Sequence, residues 1–144
     1  MILRNFLIAD AVTFGSDRKV YIHGGGVGKL YATSFPWTQP QLAVYVSLLP
    51  EDEDEPGSDH NLTVDFEAPG GEVLEAMISG GFRIPPPDRD DFRPLITFGS
   101  QFVGAAFPGA GLYWVRVLYD EREVGRHPLE LEERDQGRWI PVGQ

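Results

Sequence analysis

The 144-residue chain contains no cysteine, only two lysines, and no long apolar run. Without cysteine there is no disulfide scaffold, no thiolate nucleophile and no Cys-based zinc site. Twelve Lys and Arg face 22 Asp and Glu, a formal charge of −10. So acidic a chain has little with which to displace counterions from a phosphate backbone, and no nucleic-acid partner is expected. No stretch approaches the roughly 18 apolar residues of a transmembrane helix, so no membrane partner is expected either. The amino terminus carries one early Arg, but its longest apolar run, Phe6 to Ala9, is too short for a secretory core. By default the sequence reads as cytoplasmic, and the sequon Asn61-Leu62-Thr63 carries little weight.

Alternation decides the fold class. Leu42, Val44, Val46 and Leu48 form one aliphatic row against Ala43, Tyr45 and Ser47. Leu62, Val64 and Phe66 repeat the pattern, as do Tyr113, Val115, Val117 and Tyr119. Further strands are expected over about 2–13, 18–23, 27–32, 72–79, 94–103 and 123–132. Twelve prolines and 17 glycines, spread along the chain, leave no room for a long amphipathic helix. The pattern predicts an all-β protein: an antiparallel two-sheet sandwich of about 8–10 short strands, immunoglobulin-like or a related Greek key. One domain over 1–134 and a short tail over 135–144 follow. Tyr113, entering the strongest strand after Pro108-Gly109, sits where a tyrosine corner would cap backbone groups just upstream.

Several motifs invite chemistry. His23-Gly24-Gly25-Gly26 matches an esterase oxyanion loop, but the Gly-x-Ser-x-Gly elbow it needs is absent. Read as a phosphate loop, the same segment has His23 where the first glycine belongs and Leu30 where Ser or Thr belongs. A glycine-rich bend with left-handed backbone angles is the simpler account. Residues 51–60 hold six of the acidic residues, a set (Glu51, Asp52, Asp54, Asp59) able to offer Ca²⁺ its oxygen ligands. Asp88, Asp90 and Asp91 could join them if the loops meet, yet the EF-hand spacing fails, and a solvated, mobile loop is the plainer expectation. His23, His60 and His127 are too far apart in sequence to form a local ligand pair, and Pro85-Pro86-Pro87 reads as a stiff loop.

The order of Ala9-Asp10-Ala11, Lys19 to Gly26, Ser34-Phe35-Pro36, the strand at 42–48, His60 and Gly111-Leu112-Tyr113 resembles a family of small, uncharacterised bacterial β-rich proteins, best known from actinobacterial-type genomes. The resemblance spans about residues 5–132 and implies a compact β-sandwich. It brings no activity and no catalytic residues. The turn at 120–123 departs from the Asp-Gly expected of relatives.

No complete catalytic constellation is present, so the chain is expected not to be an enzyme. The first expectation is a non-catalytic interaction or assembly module, self-associating or bound to a protein partner, with Tyr45 and Trp114 as outward contact residues. The alternative is a Ca²⁺-binding module using the acidic loop, with no other cofactor. A carboxylate-dependent hydrolase comes last.

Overall fold

A computed structural model describes residues 1–17, 19–74, 78–87 and 94–134. Eleven strands lie among them: β1 (Ile2–Phe14), β2 (Val20–Gly25), β3 (Lys29–Ala32), β4 (Trp37–Gln39), β5 (Leu42–Leu49), β6 (Asp59–Glu67), β7 (Ile78–Arg83), β8 (Ile96–Phe102), β9 (Ala105–Phe107), β10 (Gly111–Tyr119) and β11 (Arg122–Glu133). The all-β class holds, and among the described residues no helix is long and apolar enough to cross a membrane. The strands form three sheets, in the orders β2-β1-β5-β8, β3-β11-β10-β6-β7 and β4-β9, one sheet more than expected. The extra pair escaped the sequence because β4 and β9 have three residues each, too few to display a period of two. The tail beyond Arg134 and the acidic residues Asp88, Asp90 and Asp91 lie outside the described residues.

Alternation fills the main core. Ile8, Val44, Val46 and Leu48 from the four-stranded sheet meet Leu62, Val64, Phe66, Val115, Val117, Leu129 and Leu131 from the five-stranded one. Each buried aliphatic of this size contributes about 1.5–3 kcal/mol relative to exposure. Phe107 packs edge-on against Phe66 at 5.5 Å and Tyr113 at 5.2 Å. The Tyr113 hydroxyl donates to Gly109 O at 2.7 Å, which is the upstream cap expected of it.

The sheets include a curled half-barrel, and β1, with 13 residues, outruns its eight-residue neighbour β5. Ile2 to Ala9 pair with β5, whereas the stretch to Phe14 pairs with β2 alone and folds across the outer face of β5 towards β8. Gln101 Nε2 donates to Val12 O at 2.9 Å, and Ala9, Val12 and Ala43 form a small second core with Leu7, Val20 and Tyr45 against it. Gly99 makes the close approach feasible: a Cβ there would lie 2.7 Å from Val12 Cγ1 and 2.8 Å from Phe14 Cε2. The glycine-rich segment is a backbone bend, with φ of +63° at Gly24 and +83° at Gly26. Both Gly26 and Val27 donate to Ile8 O there.

Pro128 sits inside β11 at low cost. β3 pairs with β11 only from Glu130 onward, so at Pro128 the strand has a ladder partner on the β10 side alone.

Candidate functional site

The chemistry-bearing residues converge at one corner, where the loop after β5, the start of β6 and the β10–β11 turn meet. Parity brings two of them inward. His60 shares a face with Leu62, Val64 and Phe66, and Tyr119 shares one with Tyr113, Val115 and Val117; β6 and β10 are neighbours. Their rings stack at 4.9 Å, with Phe82 of β7 6.1 Å from His60. Asp120 and Glu121 turn the chain with φ of +47° and +68°, the left-handed pair of a two-residue hairpin loop built here without glycine. The turn is fastened to β6: Asp120 N donates to Asn61 O, and Asp120 Oδ1 accepts from Asn61 N.

Hydrogen bonds link the corner. His60 Nδ1 lies 2.5 Å from Asp120 Oδ2 and 2.8 Å from the Tyr119 hydroxyl, and its Nε2 lies 2.8 Å from Ser58 Oγ. The Tyr119 hydroxyl donates to Asp54 Oδ1 at 3.0 Å, so its oxygen faces Nδ1 as an acceptor and Nδ1 carries a hydrogen. Asp54, 6% exposed, also accepts from Glu51 N at 2.8 Å and lies 2.6 Å from the Met1 ammonium. Burial works to raise the Asp54 carboxyl, but the Met1 ammonium, the Glu51 N–H and the Tyr119 hydroxyl outweigh it and hold it below the ordinary range. Burial, then the Asp54 carboxylate, pushes the Tyr119 hydroxyl well up. His60, then the Asn61 amide, holds Asp120 low.

Ser58, His60 and Asp120 thus stand in the order of a nucleophile, a base and its orienting carboxylate. Their surroundings do not continue the resemblance. Ser58 Oγ is bonded to Glu55 O at 2.5 Å, which competes with Nε2 for its single proton. The amides of Gly57, Ser58 and Asn61 are spent on Ile84 O, Glu55 O and Asp120 Oδ1, leaving none of them for a developing oxyanion. What the cluster does is fix three chain segments to one another.

In front of this corner the outer face of β6 and β7 carries a recess of about 420 Å³ lined by Asp59, His60, Asn61, Gly81, Phe82 and Arg83. Register pairs Asp59 with Arg83 and Asn61 with Gly81, and Arg83 Nε donates to Asp59 Oδ1 at 3.0 Å.

The acidic loop is built rather than loosely solvated: Asp54 N donates to Glu51 O and Ser58 N to Glu55 O, two successive turns. Asp59 pairs with Arg83 and Glu51 with the Met1 ammonium, while Asp52 is exposed. Among the described residues no three acidic or imidazole groups are placed to share a metal. Tyr45 is half-buried beneath the curled hairpin, and Trp114 is half-buried with the Arg126 guanidinium 5.4 Å from its ring. His23 is exposed, and His127 packs edge-on to Phe6. Sequence reasoning missed the meeting of Asp54, His60, Tyr119 and Asp120. Shared parity on neighbouring strands was the available signal for His60 and Tyr119.

A family model described as a family of unknown function (DUF6941) matches residues 4–132. No curated protein matches the chain.

Proposed function

The chain belongs to the DUF6941 family, which has no assigned function, and on that premise we propose that it is a non-catalytic interaction module whose contact site is the recessed outer face of β6 and β7. One observation carries this reading: the recess of about 420 Å³ falls in the size range of small-ligand sites and stands on a corner locked by the His60 network. A rigid support lets a shallow site bind without first ordering itself. We read the two larger sheets as the layers of a sandwich related to immunoglobulin-like folds, supported by the Tyr113 cap.

The hydrolase reading has less support, since the buried carboxylate of Asp54 is engaged by protein donors on both oxygens. Ca²⁺ binding by the loop competes with the same donors. Self-association is a second reading, favoured by the β2 edge strand, where Tyr21 and Ile22 are 45% and 37% exposed at adjacent positions. Sedimentation equilibrium tests it, and a strict monomer at high concentration removes it.

The test of the recess is an amide-shift screen of ¹⁵N-labelled protein against a chemically diverse fragment library. The reading expects hits whose shifts cluster at Asn61, Gly80, Gly81 and Arg83. A screen with no cluster there contradicts it.

A further inference from the structure

We infer that the β6–β7 recess takes a neutral, polyhydroxylated ligand, a sugar unit presenting adjacent hydroxyls; the inference rests on the binding reading above and names its ligand class.

Gly81 is the first ground. Its φ is not positive, and a Cβ there would meet only Asn61 Oδ1 at 3.7 Å and His60 O at 3.8 Å, ordinary contacts. Neighbouring Gly80 would meet nothing within 4 Å. Neither turn geometry nor packing requires glycine at these positions, and glycine weakens a strand. A bare strand face is what close approach of a ligand requires.

Rim chemistry is the second. Asp59 and Arg83 face each other across the strands with side chains 73% and 69% exposed, bonded from Arg83 Nε to Oδ1 at 3.0 Å and from Nη2 to Oδ2 at 3.5 Å. A guanidinium has five N–H groups and a carboxylate about four lone-pair directions, so the pair keeps capacity for a ligand. Asn61 adds a carboxamide, which donates and accepts. The three are planar, sum to zero charge and offer donors beside acceptors, matching the paired donor and acceptor character of neighbouring hydroxyls.

The charge balance disfavours ions. An anion meets the field of a chain with formal charge −10, and a cation or anion would have to compete with the internal Asp59–Arg83 pair. Continuing along the same face, Thr63 pairs with Ser79, so the strip stays small and polar, unlike the apolar centre of a protein interface. Among the described residues β7 is the last strand of its sheet, so an added peptide strand would lie beyond it, one strand away from Asp59 and Asn61 on β6.

The experiment is an amide-shift titration of the full chain with glucose, galactose, mannose and N-acetylglucosamine, run beside an extended hydroxyl-free peptide and the fragment library. At least one sugar is expected to move Asn61, Gly81 and Arg83 in a saturable manner. Gly81→Val, which places an isopropyl group on the bare strand face of the recess, should weaken that binding at least about tenfold. Its melting temperature should equal or exceed that of the parent, since valine suits a strand better than glycine and its Cβ meets only ordinary contacts. Sugar binding unaffected by Gly81→Val overturns the proposal. Peptide or hydroxyl-free fragments binding at the recess while every sugar fails overturns the sugar class and leaves the binding reading standing. Silence from all probes overturns both.

Discussion

Replacing Tyr119 with Phe tests the His60 corner with a single oxygen. The ring keeps its stack on His60 and its place in the core, where Tyr119 is 4% exposed, so packing changes little. The hydroxyl donates to the ionised, buried Asp54 and receives Nδ1 of His60. Hydrogen bonds to charged groups contribute about 1.5–3 kcal/mol, and the loss here falls near 2 because Asp54 keeps the Glu51 amide. With about 2.1 cal/mol/K of unfolding entropy per residue, that loss lowers Tm by about 7 °C. Differential scanning calorimetry measures it, with Tyr31→Phe as the control. Tyr31 is 45% exposed and stacks on Arg134 through its ring, so its hydroxyl should matter within about 0.5 kcal/mol. Crossing Tyr119→Phe with Asp54→Asn should recover a coupling of about 1 kcal/mol or more, because the second change removes the charge that strengthens the bond the first deletes. If Tyr119→Phe costs no more than Tyr31→Phe, the corner is not the tie described above and the support it lends the recess is lost.

Four further outcomes follow from the same geometry. Because the Asp54 carboxyl is held below its ordinary value, its contribution is complete above about pH 4 and is lost as pH falls through the lowered value. Denaturant unfolding across acid pH should therefore show a drop that Asp54→Asn flattens. Burial tends to lower the Met1 ammonium, but Asp54 and Glu51 more than compensate and raise it above 8.0, so its contribution is lost as pH climbs through that raised value. A stability profile level from pH 8 upward would contradict this. Gly99→Ala drives a methyl into Val12 and Phe14 and should cost about 1–3 kcal/mol, seen together with faster amide exchange in the β1–β2 hairpin. Glu121→Gly relieves a left-handed residue and should raise stability by about 0.5 kcal/mol in urea unfolding; a loss would mean that the turn is held by contacts of the Glu side chain.

The parts of the fold legible in the sequence are those set by local period and turn chemistry. The strand at 42–48, the inward rows on β6 and β10, the Tyr113 cap and the left-handed glycines at 24 and 26 need only neighbours in the chain. The curl of β1 did not show, because it depends on Gly99, some 85 residues away, leaving space for Phe14. For the same reason Tyr45 and Ser47 read as an outward row, whereas the hairpin half-buries Tyr45, and Ser47, fully buried, accepts from the Asn5 carboxamide. The acidic loop read as a run of like charges. Its burial of Asp54 depends on Tyr119, 65 positions on, and no spacing rule reports that. The recess stayed hidden because it consists of what is missing at Gly81, visible only once β6 and β7 are in register.

We propose that this corner supports binding rather than a reaction, although Ser58, His60 and Asp120 stand in the order of a hydrolytic triad. Intact-mass analysis after treatment with a fluorophosphonate, which tags activated serines, addresses that claim most directly. The structure predicts no adduct on Ser58, whose hydroxyl is held by Glu55 O and whose neighbouring amides are spent. A stoichiometric adduct on Ser58 that disappears in His60→Gln would contradict the claim and turn the corner into an active site.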